Sequence, residues 1–261
     1  PILLPASYQR PFKEIVPYEV AEDLVRDATI YVLDFSFSPE DTDALAALVS
    51  DGKVVVLDHH KSAVERYAGT TIAEDGEYVL NLDVKLSDMC TFKVWTAPPN
   101  VELILDMDHS GAALTWRYFH LGEALPALVA HVEDYDLWRH RLPDSKAVHA
   151  YLRSLDMDVG QYAQLLVEDY CLYGDEIGVV KLGRAILRAN DQQARALASK
   201  PETVTFAGLT ALAVNAPLHQ DDVGSVLAAQ CASGVGVMWY WRDKRYKVSL
   251  RSRSVDGREP F

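Results

Sequence analysis

The triplet Asp58-His59-His60 follows directly on the apolar run Val54-Val55-Val56-Leu57, gathering one carboxylate and two imidazoles on a single loop. A second aspartate, Asp34, ends the similar run Ile30-Tyr31-Val32-Leu33. Two carboxylates aimed into one crevice repel, and a divalent cation between them is the simplest remedy. Oxygen and imidazole ligands without thiolate favour Mn2+, Mg2+, Fe2+ or Co2+, with Zn2+ admissible. Plainer uses exist for both residues. Asp58 can cap the segment 59–67, worth about 1 kcal/mol, and Asp34 can cap the turn at Ser36.

The elements that must position these residues are legible as a pattern. Ser38-Pro39-Glu40 opens a segment whose Leu45, Leu48 and Val49 fall on one helical face, between the two apolar runs. Continuous β-branched runs separated by an amphipathic helix predict a βαβ unit with a parallel, buried sheet. In such a sheet ligands collect beyond the carboxyl ends of the strands, where Asp34 and Asp58 both fall. Val101-Glu102-Leu103-Ile104-Leu105 is a third strand candidate, ahead of Ser110-Gly111-Ala112 and a helical 114–121. Residues 125–140 read as helix, Leu142-Pro143-Asp144-Ser145 as a break, and 160–199 as a long helical stretch closed by Lys200-Pro201. Strands follow at 203–206, 209–214, 236–240 and 246–250, with Asp243-Lys244 at a hairpin turn. The expected architecture is α/β: a parallel-sheet domain (1–155), a helical linker (156–200) and a smaller mixed α/β domain (201–261).

Composition narrows the function classes. In 261 residues, 49% are hydrophobic and 24% charged, which excludes a disordered, collagen-like or disulfide-scaffold chain. No apolar run approaches the roughly 18 residues of a membrane span, so no membrane partner is expected. The net charge of −13 argues against coating long duplex nucleic acid, while leaving room for a short phosphorylated substrate. Three unpatterned cysteines, Cys90, Cys171 and Cys231, fit a reducing cytoplasm and no metal-thiolate site.

Val56-Leu57-Asp58-His59-His60-Lys61 resembles the name-giving motif of the DHH phosphoesterases, the superfamily of RecJ nucleases, oligoribonucleases, cyclic-dinucleotide phosphodiesterases and family II pyrophosphatases. Tyr31-Val32-Leu33-Asp34-Phe35-Ser36 is similar to its second motif. The segments Asp108 to Trp116 and Asp134-Tyr135-Asp136-Leu137-Trp138 look like the stretch after the DHH loop and the fourth motif. Val248-Ser249-Leu250-Arg251-Ser252 resembles the substrate-binding strand of the DHH-associated C-terminal domain. The resemblance implies a Mn2+-dependent phosphoesterase, with Mg2+ or Co2+ as substitutes, cutting phosphodiester bonds of short oligonucleotides or dinucleotides. Asp34 would bridge two ions, and His59 and Asp136 would complete one site. Asp58 would support that sphere or reach an ion directly, and His60 would contact the scissile phosphate. Asp134 rivals Asp136, since spacing does not choose between them. Two ions about 3.5–4 Å apart can activate a water and neutralise phosphoryl oxygens during in-line attack.

Ser110 and Gly111 open a helix whose free N–H groups suit a phosphate, although Ser110 serves equally as an ordinary N-cap. Asp106, Asp108 and His109 read as a surface loop. From Arg242 to Phe261 there are seven Lys/Arg against three Asp/Glu, interleaved with Tyr246 and preceded by Trp239, Tyr240 and Trp241. This stretch could hold the sugar-phosphate and base of a short nucleotide. Alternation puts Lys247, Ser249 and Arg251 on one strand face. Asn215, Arg251 and Ser252 are the substrate-binding candidates there.

The chain departs from the family pattern at both ends. Nothing before Asp34 supplies the His/Asp-rich first motif, and the glycine-rich histidine loop is absent after Arg253. Together with the missing initiator methionine, this favours a piece of a longer, active protein over a catalytically impaired nucleotide-binding relative. These 261 residues by themselves are expected to form at most one complete metal site, with little turnover. An exopolyphosphatase or pyrophosphatase is the third reading, and the oligomeric state stays open.

Overall fold

The computed structural model describes residues 4, 6–7, 15, 26–68, 97–156, 158–167 and 178–255. The chain divides into two compact units, Pro1–Ser145 with Tyr162–Asp169, and Lys146–Gln161 with Tyr170–Phe261.

The first unit carries a parallel sheet in the order β1-β2-β3, from β1 (Thr29–Leu33), β2 (Lys53–Asp58) and β3 (Val101–Leu105). Val54 to Asp58 are all buried, as a central strand covered on both faces requires. Helices α1 (Pro39–Leu48) and α2 (Lys61–Ala68) cover one face, where Leu45, Val49, Val64 and Tyr67 pack with Val32, Val54, Val56 and Leu103. Ser38 caps α1 by accepting the Asp41 N–H, with Pro39 at the first helical position. Helix α3 (Gly111–Phe119) packs against β1 and β2 and is followed by α4 (Ala127–Asp136). The apolar run of β1 is less enclosed than expected. Tyr31 and Leu33 are 42% and 41% exposed, because among the described residues β1 lies at the sheet edge; Tyr31 meets Tyr118 and Phe119 at the end of α3.

The helix read across 125–140 stops at Asp136, and Trp138 and His140 take left-handed backbone. Ser145 begins α5 (Ser145–Leu152), a helix that the break at Pro143 had hidden. Helix α6 (Val159–Val167) precedes α7 (Val179–Leu197). Cys90 and Cys171 lie outside the described residues.

In the second unit, β4 (Glu202–Phe206), β5 (Leu209–Asn215), β6 (Val235–Arg242) and β7 (Arg245–Ser252) form a sheet in sequence order. Among the described residues its one parallel pair is β5 with β6. The crossover between them is α8 (Gln220–Gln230), also unforeseen, which buries Val223 and Leu227 against Val214 and Met238. Ala194 of α7 and Ala198 join that cluster, so the stretch read as a linker supplies core to this unit. Asp243 and Lys244 both have positive φ, as a two-residue hairpin turn requires. Cys231 is buried and unoxidised. Among the described residues, no helix is long and apolar enough to cross a membrane.

Candidate metal centre

The ends of β1 and β2 bring the first two aspartates together. Asp34 adopts φ +54° while its N–H donates to the Leu57 carbonyl at 2.8 Å, so the chain leaves the sheet in a left-handed turn. This turn lays the Asp34 side chain over the first residue of α3. There, a Cβ on Gly111 would overlap the Asp34 carboxylate. Gly111, read as part of a phosphate cradle, is thus a spacer that lets a carboxylate approach a helix backbone.

His59 is the hub. Its Nε2 lies 3.2 Å from Asp34 Oδ1 and 3.3 Å from Asp136 Oδ2. The hydrogen bond to Asp34 raises the His59 pKa above the ordinary histidine value, against the opposing effect of burial, with Asp136 adding to the rise. Burial raises the Asp136 carboxyl, the neighbouring Asp34 charge adds to it, and His59 opposes it. Asp34, His59 and Asp136, drawn from three separate segments, therefore meet at one nitrogen.

Asp58 does something different. It is fully buried, and both oxygens are engaged. Oδ2 accepts the Ser36 hydroxyl at 2.5 Å; Oδ1 accepts the N–H groups of His59 (2.8 Å) and His60 (3.2 Å) and lies 2.7 Å from His60 Nδ1. A carboxylate beside Nδ1 favours the tautomer with its proton there, leaving His60 Nε2 as a free lone pair. Asp58 is a brace for the loop. Arg66 secures the far side by donating to the carbonyls of Ser36 (2.8 Å) and Phe37 (3.2 Å).

The two aspartates of α4 part company in the same way. Asp134 is buried and accepts the N–H groups of Arg141 (2.8 Å) and Leu142 (3.2 Å) and the Ser145 hydroxyl (2.5 Å). Burial works against its charge, yet those hydrogen bonds outweigh it and hold the carboxyl below the usual range. Asp136, two positions on, is the one facing His59. Ser110 is an N-cap, its hydroxyl accepting the Ala113 N–H at 3.2 Å, and its own N–H points to Glu133 Oε2 at 3.4 Å. Asp106 accepts the Asp108 N–H and lies 2.8 Å from His109 Nδ1, and Arg117 and Arg139 tie this loop down at His109 Nε2 and the Asp108 carbonyl.

One ligand atom each from Asp34, His59 and His60 lies within 4.8 Å of the others. Ligands about 2.1 Å from a shared ion stand at most about 4.2 Å apart, so small side-chain adjustments suffice to hold one. Oxygen and nitrogen donors, an uncommitted His60 Nε2 and Asp136 at the rim all suit a divalent cation.

The remaining candidates belong to the second unit. Asn215 ends β5 with its side chain exposed, and Ser252 ends β7. The face of β7 carrying Ser249 and Arg251 is turned to α8: Ser249 donates to Gln220 Oε1 at 2.7 Å, and Arg251 pairs with Asp221. Sequence reasoning gave Ser36 no role beyond a turn. A small hydroxyl two residues past a site aspartate was the available signal.

No family model matches the chain, and no solved structure matches it. It is similar to uncharacterized protein R106 of Acanthamoeba polyphaga mimivirus, at 24% identity over 147 residues. That match covers 56% of this chain and 28% of the viral protein.

Proposed function

We propose that this chain carries the metal centre of a DHH-type phosphoesterase, hydrolysing phosphodiester bonds of short oligonucleotides or dinucleotides with Mn2+ as cofactor, Mg2+ or Co2+ serving as substitutes. The observation that carries the reading is His59 Nε2 held between Asp34 and Asp136 at 3.2 and 3.3 Å. Bound divalent ions supply a water of lowered pKa and neutralise phosphoryl oxygens. The protein's own part is positional. Asp34, His59 and Asp136 hold the cation, and Asp58 fixes the rotation of His60. With a proton on each ring nitrogen, Nδ1–H directed at Asp58, His60 would donate its Nε2–H to a phosphoryl oxygen.

A second reading, nucleotide binding with little or no turnover, is favoured by the engagement of both Asp58 oxygens. Among the described residues, Asp34, His59, His60 and Asp136 then remain as donors, enough for one ion and short of what two require.

Titration calorimetry with Mn2+, checked by elemental analysis, tests both. Binding near two ions per chain, lost in Asp34→Ala and accompanied by Mn2+-dependent cleavage of a dinucleotide, supports the enzyme. One ion without cleavage supports the binding protein. No Mn2+ binding removes the metal centre altogether.

A further inference from the structure

Immediately after Asp136 the helix gives way to a tight turn. Trp138 and His140 adopt φ +53° and +47°, conformations that side-chain-bearing residues keep only when their surroundings hold them there. The hold is Asp134. Its carbonyl accepts the N–H groups of Arg139 (3.0 Å) and His140 (3.3 Å), while its buried carboxylate takes the next two N–H groups and the Ser145 hydroxyl.

The turn displays a cluster of rings. Tyr135 and Trp138 lie near parallel, 28° apart with centroids at 6.1 Å, and His140 stands edge-on to both at 5.6 and 5.3 Å. Trp138 is 69% exposed, so this is not a core contact. Arg139, paired with Glu133 at 3.2 Å and donating to the Asp108 carbonyl, and the exposed Arg141 flank it. An open indole with cations beside it complements a ring carried on a phosphate, and every nucleobase offers a face for such stacking.

We propose that Trp138, supported by Tyr135 and His140, is a stacking platform for the base of a nucleotide whose phosphate lies at the Asp34–His59–Asp136 centre. It is therefore a specificity-determining residue, distinguishing nucleotides from inorganic or sugar phosphates. The location of the phosphate rests on the metal-centre reading; the platform rests on the ring cluster and its hold.

The test is calorimetric titration, with Mn2+ present, of adenosine 5′-monophosphate and of ribose 5-phosphate into the wild type, Trp138→Ala and Trp138→Phe. The wild type is expected to prefer the nucleotide by about tenfold. The alanine variant loses that preference while keeping its affinity for ribose 5-phosphate, and the phenylalanine variant retains most of it. Equal affinities in the wild type, or a preference that survives in Trp138→Ala, overturn the platform. So does Trp138-dependent binding to anionic phospholipid vesicles without base preference, which makes the cluster a membrane contact. Mn2+-dependent phosphate binding without base preference removes the platform and leaves the metal centre. A Trp138-dependent preference unchanged by Asp34→Ala or by chelation keeps the platform and removes the metal centre.

Discussion

Gly111 and Asp58 show how much of the candidate site depends on residues that shape it from behind. Gly111→Ala introduces a methyl group into the space of the Asp34 carboxylate. The chain should still fold, with Mn2+ affinity down by about tenfold or more, the scale of a disturbed outer ligand contact, as calorimetry would record. Asp58→Ala removes a buried acceptor used four times, leaving the Ser36 hydroxyl and two backbone N–H groups without it. We expect about 2–4 kcal/mol lost in chemical denaturation, together with metal binding. If stability survived intact, Asp58 would be a ligand rather than a brace. Strand ends and motif resemblance marked Asp34, Asp58, His59 and Asp136 in the sequence, and the structure brings Asp34 and Asp136 to His59. The sequence concealed the division of labour, because Asp134 and Asp136 are two positions apart and only the fold turns one to Ser145 and the other to His59.

At the scale of elements, α1 and α2 are joined through Tyr67. Its hydroxyl lies 2.7 Å from Thr42 Oγ1 and donates to the Phe37 carbonyl at 3.0 Å. Burial pushes the Tyr67 pKa up to about 12, the Thr42 hydrogen bond pulling weakly the other way. The neutral phenol is thus favoured in the folded state. Its contribution is complete below the unfolded value near 10 and is lost as pH rises toward 12. Denaturation midpoints should fall across that window by the equivalent of up to about 3 kcal/mol, and Tyr67→Phe should fall less steeply despite a lower starting stability. In the second unit, Gly183 of α7 sits where a Cβ would overlap the Ala147 carbonyl of α5, so Gly183→Ala should force the two helices apart. A loss of about 1–3 kcal/mol in thermal or chemical melts is expected. Strands and the Asp243-Lys244 turn were readable because periodicity and turn chemistry are local. Helix α8 was not, since Gln220–Gln230 has a weakly amphipathic sequence and becomes a crossover only once β5 and β6 lie parallel.

For the whole molecule the governing quantity is charge. At −13 the chain repels anions on approach, unlike a protein that tracks nucleic acid by counterion release. Metal-free protein should bind a dinucleotide weakly, and moderate monovalent salt should strengthen that binding by screening. Fluorescence anisotropy of a labelled dinucleotide and of a long single strand would show it. A steep fall in long-strand affinity with salt would contradict the short-substrate reading. The order of the chain through its two units has a consequence of another kind. Because the first unit closes with Tyr162–Asp169, after Lys146–Gln161 has already entered the second, no single break point yields both units entire. A gene shortened after Ser145 to isolate the metal centre would omit Leu166, which lines a cavity of about 530 Å³ together with Asp34, Gly111 and Trp116. Isolating the first unit whole calls for a chain that joins 1–145 to 162–169 through a linker in place of 146–161.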